Sequence, residues 1–187
     1  MISTDADDPN VIVNGTITVN YNPTNFTDAG HLARINAVCD KFATSLKMVD
    51  ITNTDSTTTL SFANLAFVDD ALHIDGNTIL ADGDSGNDKL RTVTGNVSIT
   101  GILGDIDLGL LTSANHIEVP GGAGVTALKM GSVKATSLRT TGLPQGVLTL
   151  VSATIVQGGT SKISTLTAHY ATDIDITAAA TCVVDAD

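Results

Sequence analysis

The sequence predicts a mainly β protein, a β-solenoid-like stack of short strands with one N-terminal helix. Three observations carry that expectation. Thr is the commonest polar residue at 28 of 187 positions, and the acids are 19 Asp with only Glu118. Thr, Asp, Asn and Gly fill strands and turns, whereas Glu and Lys fill helix surfaces. Apolar anchors recur along the C-terminal half at Ile99, Leu108, Val119, Leu128, Leu138 and Leu148, with Leu108, Leu128 and Leu148 each 20 residues apart. Aromatic residues make up 3% of the chain and Trp is absent. Stacked aliphatic and Thr ladders need no aromatics. The alternative is an antiparallel β-sandwich or jelly roll, with strands spaced about 8–12 residues apart. Asn14-Gly15, Asp75-Gly76 and Asp82-Gly83 supply the hairpin-type turns which that alternative requires.

A chain of 187 residues is long enough to bury a core without metal or disulfide support, and it reads as one mainly β domain over 1–187. Met1–Asn10 is polar and acidic, with neither the cationic nor the apolar region of a signal peptide. Val11–Val19 alternates through Val11, Val13, Ile17 and Val19 around Gly15, which fits a strand or a bulged hairpin. The segment 27–43 is the amphipathic helix. Leu32, Ile35, Val38, Cys39 and Phe42 fall three and four apart, while His31, Arg34, Asp40 and Lys41 hold most of the other side. Thr27 or Asp28 is placed to accept the first backbone N–H bonds.

From 44 to 187 the pattern is β. Pieces of the form Gly-x-apolar-x-apolar recur at Gly95–Ile99, Gly104–Leu108 and Gly146–Leu150, and Gly15–Val19 repeats the pattern upstream. In a stack of coils the helix is well placed to cover the apolar end of the first coil. The most apolar run, Val147–Val156, is shorter than the ~18 residues a membrane-spanning helix needs, so no membrane insertion is expected. Asp82–Asp88 and Pro120–Gly124 are Gly-rich and read as linkers or loop tips, and neither changes the composition on its far side.

Charge narrows the partners. A formal net charge of −11 opposes nucleic-acid binding and docking on anionic lipid, both of which need a cationic surface. Cys39 and Cys182 read as buried thiols acting as small hydrophobes, the alternative being a bridge between the two ends of the chain.

The most chemical-looking segment is Asp82-Gly-Asp-Ser-Gly-Asn-Asp88. Asp82, Asp84 and Asp88 are candidate oxygen ligands for calcium, set among glycines that permit tight turns. Gly83–Leu90 resembles one unit of the calcium-binding nonapeptide repeat of RTX proteins, with Asp84 in place of the second glycine and no second unit in tandem. The competing reading is a solvated acidic turn with no cofactor. Asp105/Asp107 and Asp173/Asp175 are period-two pairs, each placed on one face of its strand. Such pairs suit glycosidase chemistry, but the chain lacks aromatic sugar platforms, and a solvent face is the plainer reading. Asp69-Asp70 reads as a turn. The histidines (His31, His73, His116 and His169) show no metal-ligand spacing. The T-x-T pairs Thr16/Thr18, Thr52/Thr54, Thr57/Thr59, Thr92/Thr94 and Thr165/Thr167 are not spaced by one coil length, so no continuous Thr array follows.

These features point away from an enzyme. They lead to the expectation of a structural or surface protein, a decoration or fibre component of a virion or appendage, built for assembly or attachment. A secreted or cell-surface adhesion module, with a surface glycan as partner, and a polysaccharide-active enzyme are the alternatives. Few Lys and Pro protect strand edges here, so a homo-oligomer or a larger protein assembly at a virion or extracellular surface is expected.

Overall fold

A computed structural model describes residues 11–25, 30–55, 57–76, 78–79, 89–102, 104–120, 125–141, 146–152, 155–159, 163–169, 173–176 and 179–185. The chain is mainly β with parallel sheets. Its elements begin with β1 (Val11–Val13), β2 (Ile17–Tyr21), α1 (His31–Cys39), β3 (Phe42–Ser45), β4 (Val49–Asn53) and β5 (Leu60–Ser61). Next come β6 (Phe67–Val68), β7 (Leu72–Asp75), β8 (Thr78–Ile79), β9 (Thr92–Val93), β10 (Val97–Thr100) and β11 (Gly104–Leu108). The rest are β12 (His116–Pro120), β13 (Val125–Lys134), β14 (Ser137–Thr141), β15 (Gly146–Ser152), β16 (Ile155–Gly159), β17 (Ile163–His169), β18 (Asp173–Ile176) and β19 (Ala179–Asp185).

An eight-stranded sheet runs β18-β16-β14-β12-β10-β7-β4-β2. A four-stranded sheet runs β1-β3-β6-β9 and a five-stranded one β11-β13-β15-β17-β19. Single bridges from Ser113 to Thr92 and to Lys134 link these two. β5 and β8 form a small further pair. Every strand pair among the described residues is parallel, including all seven pairings of the eight-stranded sheet. Antiparallel hairpins, which the alternative sandwich requires, have no counterpart there. Asn14-Gly15 separates β1 from β2, which belong to different sheets, so the chain turns a corner instead of folding back.

Register explains the core. Ile17 pairs with Val49, Val49 with Leu72, Leu72 with Val97, Val97 with Ile117, and Ile117 with Leu138. All six side chains are buried, none more than 5% exposed. A second buried row, Ile51, Ile74 and Ile99, runs beside it. The alternation of strands turns the residues between these rows, such as Asp50, His73 and Ser98, to the opposite face. Ser45 is a buried polar residue, and its Oγ donates to the Gly15 carbonyl at 2.9 Å and thereby satisfies itself.

Two expectations change. Stacked coils would set the anchors Ile99, Val119 and Leu138 in one ladder, but the last step is displaced by two residues, since Val119 pairs with Thr140 and Leu138 with Ile117. In the five-stranded sheet Leu128 pairs with Ile106 and Gly146, not with Leu108 and Leu148. A shift of two keeps the same residues on the same face, so periodicity alone does not choose between these registers. The helix is also shorter than 27–43. Phe42–Ser45 is drawn into β3, where it pairs with β1, and the Val11 amide donates to the Lys41 carbonyl at 2.8 Å. Gly30 holds the N-cap position; Thr27 and Asp28 lie outside the described residues.

Candidate functional site

The surface feature that stands apart is an apolar groove of about 520 Å³ between α1 and the first two strands. Val13, Ile17, Val19, Ile35, Val38 and Phe42 supply its apolar walls, with Arg34 among the lining residues. The helical pattern of the sequence accounts for one wall and the strand alternation of 11–19 for the other. The two apolar faces meet only in part. Leu32 and Ile35 are half-buried, Cys39 is fully buried, and Val38 is 55% exposed although it belongs to the same helical face. The other large exposed apolar residues among the described ones, Ile12 and Leu46, also belong to the first strands and the turn that follows.

Polar contacts hold α1 in place. The Asn36 amide group donates to the Thr59 carbonyl at 3.1 Å, and its Oδ1 accepts from the Ser61 amide at 3.1 Å. Asp40 Oδ1 accepts from Ser61 Oγ at 2.6 Å and from the Ala63 amide at 3.0 Å. Although Asp40 lies on the polar side of the helical pattern, it is the clamp that fixes the helix C-terminus to β5 and the residues after it. Burial pushes the Cys39 thiol up to about 12, with the neighbouring Asp40 charge adding to the shift. Cys39 is a free thiol, in keeping with a small buried hydrophobe.

The groove lies beside the outer margins of two strands. β1 and β2 are each the last strand of their sheets among the described residues. The Ile17 amide donates to Met48, and Thr54 donates to the Tyr21 carbonyl, so the odd-numbered residues of β2 are bonded to β4. Main-chain groups of Thr18 and Asn20 therefore face the outer margin.

On the outward face of the eight-stranded sheet, His73 Nδ1 lies 2.8 Å from Asp50 Oδ1. Arg139 and Glu118 are 4.0 Å apart at well-exposed positions, where such pairs contribute little. His116 Nδ1 lies 2.7 Å from Ser137 Oγ, and among the described residues no carboxylate is bonded to His116. Among the described residues no three His, Cys, Asp or Glu side chains are grouped to hold a metal ion.

Asp82, Asp84 and Asp88 lie outside the described residues. Asp105 and Asp107 are placed in β11, and Asp173 and Asp175 in β18. Asp69 and Asp70 are exposed in a bend, where the Asp70 carbonyl accepts from the Gly95 amide. His31 opens α1 and His169 ends β17, so the four histidines are not brought together. Sequence reasoning missed the groove. Leu32, Ile35, Val38 and Cys39 mark an apolar helix face in the sequence, but nothing there tells how much of that face the first strands cover. Among the described residues, no helix is long and apolar enough to cross a membrane. Comparison with protein-family models, with curated proteins and with solved structures found no match.

Proposed function

We propose that this chain is a non-enzymatic structural protein of a virion or appendage, of the decoration or fibre type, which acts by assembly. In this reading the parallel sheets are the faces of a β-solenoid-like stack. The chain visits them in rotation, and successive rungs lie 20 residues (Val97 to Ile117) and 21 residues (Ile117 to Leu138) apart. The observation that carries the reading is the apolar groove beside two strand margins. Exposed apolar surface next to strand margins that have no neighbouring strand among the described residues is what an assembling protein presents and what a monomer usually covers. Adhesion to a surface glycan is the second reading, favoured by the polar outer face bearing Asp50, His73, Glu118 and Arg139. Mass spectrometry of gradient-purified particles and surface filaments from producing cells tests the proposal. It predicts the chain in stoichiometric amounts in one of those fractions; recovery only as free protein would overturn it.

A further inference from the structure

We propose that Asn14 is a site of spontaneous deamidation, through which the corner between β1 and β2, and with it one rim of the groove, changes as the protein ages. The inference does not depend on the assembly reading. The reaction needs an asparagine side chain beside a main-chain nitrogen that no hydrogen bond holds, and a backbone free to rotate there. Asn14 lies exposed in the bend that joins β1 to β2, and Gly15 follows it. Among the described residues neither the Asn14 side chain nor the Gly15 amide has a hydrogen-bond partner. A Cβ added at Gly15 would meet nothing within 4 Å, so the space around it is open. The comparable step Asp75-Gly76 is locked. There the Gly76 amide donates to the Thr100 carbonyl at 2.9 Å, and Asp75 Oδ1 accepts from Thr100 Oγ at 3.0 Å. The side-chain amides of Asn36 and Asn53 are held as well, on the carbonyls of Thr59 and Thr58 at 3.1 and 3.0 Å.

Hydroxide takes the Gly15 amide proton, the nitrogen attacks Asn14 Cγ, and the bond from Cγ to the side-chain nitrogen breaks. That nitrogen takes a proton from water and leaves as ammonia. Water then opens the five-membered imide. Opening at Cγ gives aspartate, and opening at the main-chain carbonyl carbon gives isoaspartate, in which Cβ joins the main chain. One amide and one water become one acid and one ammonia, with no oxidant or cofactor. Either product adds a negative charge to a chain already at −11. The isoaspartate also lengthens the corner. The Val13 carbonyl accepts from the Leu46 amide and the Gly15 carbonyl from Ser45 Oγ, both at 2.9 Å, so the added carbon falls between two anchored points. The Gly15 anchor is the one that yields, because Ser45 Oγ also reaches the Lys47 carbonyl at 3.1 Å and stays satisfied when Gly15 withdraws. Val13, Thr16 and Ile17 line the groove, so its strand wall moves with the corner.

Peptide mapping of the full chain, aged at pH 8 and 37 °C and digested at mildly acidic pH, tests the proposal. Fragment masses should place the gain of one dalton and the isoaspartate backbone at Asn14. Its rate should lie within about threefold of that in denaturant, while native folding slows isomerisation at Asp75 by about tenfold or more, since that step requires local opening. Gly15→Ala should slow the conversion by about tenfold, because the added Cβ restricts the backbone and shields the nitrogen. Asn14→Gln should remove the product. A native Asn14 that stays intact while the denatured one converts overturns the proposal, as does earlier conversion at any other described asparagine. Aged protein separated by anion exchange should show NMR shifts confined to the corner, the groove and Ser45–Met48. Shifts spread over every rung, or none at Ser45, would overturn the yielding of the Gly15 anchor. Oligomeric state enters neither readout, so failure here leaves the assembly reading untouched.

Discussion

Gly76 ends β7 at the corner where the chain leaves the eight-stranded sheet, and replacing it tests whether the strands stack in the register described. Its φ is 110°, in a region side chains rarely adopt, and a Cβ there would lie 2.0 Å from the carbonyl oxygen of Asn53 at the end of β4. That contact is with main chain, so relief requires β4 and β7 to move apart at this point. Strain at such a φ costs about 1–3 kcal/mol. Moving Gly76 off β4 also pushes it toward β10 and distorts the 2.9 Å bond from its amide to the Thr100 carbonyl, worth about 0.5–1.5 kcal/mol. Together Gly76→Ala should cost about 2–4 kcal/mol, which lowers Tm by about 5–15 °C for a chain of this size. The control is Gly15→Ala, where an added Cβ meets nothing within 4 Å. Calorimetry of both variants is the assay. A Gly76→Ala Tm within 2 °C of wild type, or an equal loss in Gly15→Ala, would refute the stacking of Gly76 on Asn53.

Asp40→Ala should cost about 1–3 kcal/mol in urea unfolding, because two donors lose a charged acceptor, and Asp40→Asn about half of that. Thr140→Val should be neutral to stabilising by about 1 kcal/mol, since the buried Thr140 hydroxyl has no partner among the described residues and pairs in register with Val119. Cys39 should resist iodoacetamide at pH 8 in the native protein and react in denaturant, read from its own peptide by mass spectrometry; native reactivity equal to that of the denatured chain would contradict its burial. The same raised thiol stabilises the fold in full below its ordinary value of 9.0 and loses that contribution as pH climbs toward about 12, so a Cys39→Ser variant should show a shallower alkaline loss of stability. If Asp82, Asp84 and Asp88 bind calcium, EDTA should lower Tm and Asp84→Ala should abolish the difference; no response to EDTA or to millimolar calcium leaves that segment a plain acidic turn.

Much of the strand content was legible because composition and alternation are local signals. The Gly-x-apolar-x-apolar pieces at Gly95–Ile99 and Gly104–Leu108 coincide with β10 and β11. Pairing was less legible. Val97, Ile99, Ile117 and Val119 all face the core, so a ladder built from one pair or the other buries similar area, and β13 and β15 add register shifts that no periodicity encodes. The helix ends were misjudged for a related reason: Phe42 satisfies a helical face and a strand equally well, and tertiary pairing with Val11 decides. Asp40 looked like a solvent residue because its partners, Ser61 and Ala63, lie more than twenty positions away. The groove was invisible in sequence because it is a mismatch between two elements, each of which looks complete alone.

Cryo-electron microscopy of the purified protein at high concentration tests most directly the proposal that the chain is a stack of parallel rungs and acts by assembly. Neighbouring parallel strands lie about 4.8 Å apart. The proposal predicts rods of assembled copies whose averaged images show that spacing along the rod axis. Isolated particles of single-chain mass, or rods whose strands run along the axis, would contradict it.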